Sequence, residues 1–248
     1  MGEMPLRSSR AAWWAFDRVL RPWMSRHVRV HVTGRPGLLE PGFPLLLVAN
    51  HESFWDGFLL REVQRRLRPR GRFHAVMLER ELKERPLLRW LGGLGVTPGS
   101  VASARGLLRT MERLRRDDPT GVIAYFPQGA IHPGAFGPLR FRSGVARVAG
   151  ALAPATVLPV GIRVLPGRSH RQEAYVSVGE ALAVPSPGTL STGLVEAAVA
   201  EELAAIRAFL AAWGERSPER WPALPGRLPR ASHSNTLLRD VRGWISRN

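Results

Sequence analysis

Cysteine is absent from this chain. That excludes a thiol nucleophile, a structural disulfide and any cysteine-based metal site. It leaves the compartment open, because cytosolic proteins need no disulfides and secreted ones can do without them. Lysine is nearly absent as well: Lys83 is the one lysine, and arginine supplies the rest of the 36 basic residues. Long hydrophobic runs are also missing. The longest mostly apolar stretch, Val148 to Ile162, contains Pro154 and Pro159 and falls short of the ~20 residues a membrane-spanning helix needs. Arg7, Arg10 and Asp17 interrupt the N-terminal region, so the sequence predicts no secretory signal core there.

What the chain does hold is apolar and strongly cationic. Its 248 residues are 44% hydrophobic, enough for one large α/β domain with a sizeable core. The formal net charge of +16 favours anionic partners: a membrane surface, nucleic acid or an acidic carrier protein. Residues 8–26 read as an amphipathic helix. Trp13, Trp14, Phe16, Leu20, Trp23 and Met24 form its apolar side, and Arg7, Arg10, Arg18, Arg21 and Arg26 its cationic side. Rings at headgroup level and cations on lipid phosphates suit an interfacial helix, whereas the plainer reading is a terminal helix docked on the core. Pro22 is expected to kink or end it.

The rest divides into a central domain over residues 28–213, with 1–27 as the interfacial segment before it and 214–248 as a basic, Pro- and Arg-rich tail ending in a short helix, Thr236–Ile245. Val28–Thr33 alternates with period two, as a half-buried strand does. Pro44–Ala49 is continuously apolar, as in a strand covered on both faces. Helices are predicted over 54–67, 80–90, 102–116 and 194–213. Further strands are predicted over 75–78, 121–126, 155–163 and 173–178, with a glycine-rich turn at Gly92, Gly93 and Gly95. Strands alternating with helices predict an α/β sheet flanked by helices.

The stretch Asn50-His51-Glu52-Ser53-Phe54-Trp55-Asp56 follows the buried strand directly. Positions five apart do not share a helix face. His51 and Asp56 can therefore meet only if the histidine stays in the loop while the aspartate sits in the first helical turn. Ser53 as N-cap, with Asp56 three residues on, fits that start. The carboxylate would then fix one imidazole nitrogen and leave the other as a general base at the carboxyl end of a strand. The alternative is that Asp56 is only a cap and His51 only a strand-end residue.

Four blocks in order resemble the glycerolipid acyltransferase family, whose members include the 1-acylglycerol-3-phosphate acyltransferases. VANHESFWDGFLL is similar to its NHxSxxD signature, and Ile123–Gly129 to its strand ending in FPEG. Leu139–Ala146 resembles its basic glycine-containing segment, and Leu158–Gly161 its VPV block. The resemblance implies a glycerol-phosphate-acyltransferase-like α/β fold and a direct acyl transfer from acyl-CoA or acyl-carrier protein to a lipid hydroxyl. It makes His51 and Asp56 the catalytic pair. It assigns substrate binding to Asn50, Ser53, Phe126, Pro127, Gln128 and Gly129, with no metal and no cofactor beyond the thioester co-substrate. The implied partners are an anionic membrane surface, the acyl thioester donor and a lipid acceptor, at the cytoplasmic face of a membrane.

The chain departs from that pattern where phosphate is held. FPEGTRS reads Phe126-Pro127-Gln128-Gly129-Ala130-Ile131-His132, and Gly95–Ser100 lacks the usual arginine. Either the acceptor carries no glycerol phosphate, as a glycosylated lipid would not, or other arginines take over, Arg105 and Arg142 being the candidates. A non-catalytic basic protein is the competing class. Six arginines lie between Arg61 and Arg72, but no nucleic-acid motif or interleaved aromatic pattern accompanies them, so nucleic acid is not the expected partner.

Overall fold

A computed structural model describes residues 6, 8–37, 39–133, 137–167 and 170–222. The predicted closing helix, Thr236–Ile245, lies outside the described residues. The fold is α/β, built on one sheet in the order β1-β7-β6-β2-β5-β3-β4, with β8 paired to β6. The strands are β1 (Val28–Gly34), β2 (Leu45–Ala49), β3 (Phe73–Leu78), β4 (Gly93–Val96), β5 (Val122–Tyr125), β6 (Ala155–Pro166), β7 (Gln172–Val178) and β8 (Leu182–Val184). Strands β6, β2, β5, β3 and β4 run parallel; β7 and β8 lie antiparallel to β6, and β1 runs parallel to β7.

The middle strand sets the architecture. Every residue of β2 is fully buried, which its unbroken apolar run required. Leu45, Leu47 and Ala49 face one core layer with Leu59, Leu60 and Val63. Leu46 and Val48 face the other with Leu107, Met111 and Val145. The first layer is covered by α1 (Arg10–His27) and α2 (Asp56–Leu67), while α5 (Val101–Asp117) and α6 (Gly144–Leu152) pack on the second. The helix α7 (Thr192–Trp213) lies along β6 and β7 and carries a short extension, α8 (Ser217–Arg220).

Helix α1 is docked on one side and bare on the other. Trp13 is buried edge-on to Phe73, with ring centroids 5.6 Å apart, and Phe16 stacks on Phe58 at 5.9 Å. Asp17 binds Arg61 and Arg65 of α2. Trp14, Val19 and Trp23 stay exposed. The helix runs through Pro22 to His27 rather than ending there; a proline gives up one backbone donor on an exposed flank, and Met24 beyond it is buried.

Two expectations are corrected. The helix predicted over 80–90 is two, α3 (Glu79–Glu84) and α4 (Leu87–Trp90), separated at Arg85-Pro86 because a residue before proline is driven out of helical backbone. Of the predicted glycine-rich turn only Gly92 turns, at φ +88°; Gly93 and Gly95 belong to the edge strand β4. A Cβ on Gly93 would sit 2.8 Å from the Leu88 carbonyl oxygen, and one on Gly95 would sit 1.9 Å from Glu79 Oε2. Glycine here lets α3 and α4 close onto the strand. Helix α6 and strand β8 were not predicted, since both are short and α6 has no charged stripe beyond Arg147.

The arginines of 61–72 do much internal work. Arg61 lies 4.3 Å over the Trp13 ring, and Arg68 donates to the carbonyls of Glu40 and Phe43. Replacing Leu47, which touches only core, should cost about 2–5 kcal/mol. Denaturant unfolding of Leu47→Ala checks this through a lowered midpoint at unchanged slope.

Candidate active site

Strand β2 ends at Ala49, opposite Val160, while β6 runs on to Pro166. The loop leaving β2 therefore passes an overhanging strand whose inner backbone groups lack a neighbour. Side chains supply one. Asn50 donates to the Ile162 carbonyl at 2.9 Å and accepts from the Ile162 N–H at 2.8 Å. Glu52 accepts from the Val164 N–H at 3.2 Å and pairs with the Arg163 guanidinium. Both residues are buried, and between them His51 turns its ring outward.

Asp56 draws the loop together. Its carboxylate is fully buried. Oδ2 accepts from His51 Nδ1 at 2.7 Å, from the Glu52 N–H at 2.7 Å and from the Ser53 N–H at 3.0 Å; Oδ1 accepts from Ser53 Oγ at 2.6 Å. Ser53 Oγ in turn accepts from the Trp55 N–H at 3.1 Å. The helix proper starts at Asp56, with Trp55 as the flanking residue. Only half of the expected capping box forms, the Ser53 N–H donating to the Asp56 carboxylate, and Ser53 stands two residues ahead of the flanking Trp55. A carboxylate only accepts, so Nδ1 carries the proton and Nε2 presents a lone pair. The His51 side chain keeps 22% of its surface exposed, and none of the described residues hydrogen-bonds Nε2.

The loop after β5 holds the imidazole from the other side. Phe126 stacks on His51 with centroids 4.3 Å apart and planes 20° from parallel. Gln128 is buried and accepts the His51 N–H at 2.7 Å, and the His132 N–H donates to the His51 carbonyl at 2.8 Å. Both backbone groups of His51 are thus fixed by one loop. Pro127 is buried, and its carbonyl accepts the Arg142 N–H at 3.2 Å. Gly129 sits at φ +71°, and a Cβ there would come within 3.2 Å of Arg142 Cζ. Glycine at this position supplies the left-handed turn and leaves room for the guanidinium.

The predicted site residues therefore separate. His51, Asp56, Phe126, Pro127, Gln128, Gly129 and Arg142 are brought together. Asn50 and Ser53, expected to bind substrate, have their side chains committed to Ile162 and Asp56 and act by holding the loop. Arg105 is exposed on α5, and no contact joins it to His51. The Glu52–Arg163 pair was missed, although Glu52 lies inside the motif. Two charged side chains buried side by side have no separate sequence signal. A cavity of about 500 Å³ beside Arg29, Glu173 and Tyr175 is lined by none of these residues.

Burial pushes the Glu52 carboxyl up to about 7 despite the pull of Arg163 and the Val164 N–H, with Asp56 adding to the rise. Burial likewise raises the Tyr125 hydroxyl, while Arg142 draws it down. A carboxyl whose folded value lies above its free one favours folding fully at pH below the free value and loses that contribution as pH climbs through the folded one. For Glu52 the window runs from 4.5 to about 7. Unfolding free energies of Glu52→Gln should vary less across that window than those of the parent.

Comparison with known proteins agrees with this architecture. The family model described as Acyltransferase matches residues 29–163, more than half of the chain, and that span includes both the His51 loop and the loop after β5. The chain belongs to this acyltransferase family, that of the glycerolipid acyltransferases. Its activity is thereby that of a lipid acyltransferase in general terms. No curated protein matches the chain.

Proposed function

We propose that the protein moves a fatty acyl group from an acyl thioester, acyl-CoA or acyl-carrier protein, to the hydroxyl of a lysophospholipid or related glycerolipid, with His51 as general base. The observation carrying this reading is the His51 imidazole, whose Nδ1 is tied to a buried carboxylate while Nε2 faces outward. The acceptor hydroxyl gives its proton to Nε2 as its oxygen attacks the thioester carbonyl carbon. The tetrahedral species collapses with cleavage of the carbon–sulfur bond, and the leaving thiolate recovers the proton from the imidazolium. Asp56, hydrogen-bonded to Nδ1, steadies the cationic ring. Phe126 keeps the ring plane fixed. The sequence of steps needs neither a covalent acyl-enzyme nor a cofactor beyond the thioester.

No described helix is long and apolar enough to cross a membrane. Two features of the exposed surface support a lipid surface as the place of reaction. Trp14, Val19 and Trp23 of α1 are exposed, and Trp23 lies 5.2 Å from Trp55 of the motif loop, where Phe54 is exposed as well. Arg18 sits 4.5 Å over the Trp14 ring, joining cation to aromatic as an anionic headgroup layer favours. The protein would dock peripherally, at the cytoplasmic face, with the His51 loop turned to the bilayer.

The missing motif arginines keep a second acceptor class in view. A non-phosphate acceptor, such as a glycosylated lipid, fits Ala130 and Ile131; a phosphate-bearing one fits Arg142 lying across Gly129. Purified protein assayed with lysophosphatidic acid, other lysolipids and glycosylated lipids decides between them. His51→Ala should lower turnover by about 10²–10⁴-fold with the circular dichroism spectrum retained, and full turnover in that variant would remove His51 from the chemistry. Trp14→Ala combined with Trp23→Ala should weaken co-sedimentation with anionic vesicles while leaving turnover on a soluble short-chain acceptor unchanged.

A further inference from the structure

Arg140 has φ +54° and is the one left-handed residue other than glycine among the described residues. A side chain in that region crowds the following carbonyl, so the conformation persists only where its surroundings impose it. Here the imposing group is a carboxylate from a distant helix. Glu196, in the second turn of α7, accepts the Arg140 N–H at 2.8 Å through Oε1 and the Phe141 N–H at 3.0 Å through Oε2. The next N–H, of Arg142, goes to the Pro127 carbonyl. The Phe141 ring is buried in the core layer below. Three successive N–H groups and one anchored ring thus fix the backbone from which Arg142 projects over Gly129, beside the Gln128 that holds His51.

We propose that Glu196 is a positioning residue for phosphate recognition. By gripping the Arg140–Phe141 backbone it sets where the Arg142 guanidinium meets a substrate phosphate. Glu196 lies outside the span matched by the family model, so this support comes from the C-terminal helix and not from the motif blocks. The inference rests on the acyl-transfer reading for what the site serves. The phosphate has two chemical sources, the headgroup of the acceptor and the phosphates of the donor's CoA or phosphopantetheine arm.

The test is steady-state kinetics of the full chain with acyl-CoA and lysophosphatidic acid. Glu196→Ala should raise KM for one of the two by about ten-fold, the size expected when a charge-assisted contact is displaced, with kcat changed by less than about two-fold. The substrate whose KM moves identifies the source. Glu196→Gln, which keeps one acceptor oxygen, should fall between. Adding Arg140→Gly to Glu196→Ala should restore most of the loss, because glycine adopts the left-handed backbone unaided; a merely structural role for Glu196 at α7 would not be rescued there. Unchanged KM for both substrates, or a double variant no better than the single one, overturns the proposal. A chain that transfers no acyl group to any acceptor refutes the catalytic reading instead. In that event, calorimetric binding of CoA and of glycerol phosphate still judges Glu196. Weaker binding in Glu196→Ala, matched by Arg142→Ala, upholds it. Equal binding in parent and variant, or none by the parent, overturns it.

Discussion

A buried carboxylate organises this molecule's working end. Asp56 is removed from water, and an anion there is tolerable only with its lone pairs satisfied. Four donors satisfy it: the ring of His51, the N–H groups of Glu52 and Ser53, and the Ser53 hydroxyl. Two of these begin a helix, one folds the loop and one orients an imidazole. Starting α2 and setting the tautomer of His51 are therefore the same electrostatic event.

Around that anion, support for His51 comes through main-chain groups more than through its ring. The loop after β5 takes both its N–H and its C=O, and the overhang of β6 is stitched to its neighbours Asn50 and Glu52. Gln128 shows how a neutral amide serves here. It needs only an acceptor oxygen to hold an N–H, and as an amide it places no second negative charge beside the Asp56–His51 pair. Arg142 closes the far side through its backbone tie to Pro127, which links the proton-transfer centre to the basic segment.

Much of this was legible in the residues. Pro44–Ala49 announced a strand covered on both faces because nothing polar interrupts it, and the spacing of His51 and Asp56 allowed one geometry, which the loop adopts. The α/β class followed from alternating elements. The unreadable parts share a cause: they depend on partners far away in sequence. Gly93 and Gly95 look like a turn until α3 and α4 are seen pressing on them. Asn50 and Ser53 look like ligands for substrate until Ile162 and Asp56 claim their polar atoms. Helix α1 could not be divided into a docked and a bare side before Phe58 and Phe73 were in place, and Glu196 carries no local mark of its bond to Arg140.

The stitching of Asn50 and Glu52 to β6 imposes a parity on the loop. Even-numbered side chains turn toward the overhang and the odd one between them turns away. Adding or removing a single residue ahead of this stretch would exchange those directions, burying the imidazole against Ile162 and swinging an amide or acid into solvent. Length in this segment is consequently as strictly set as identity, whereas substitutions that preserve the count meet only local resistance.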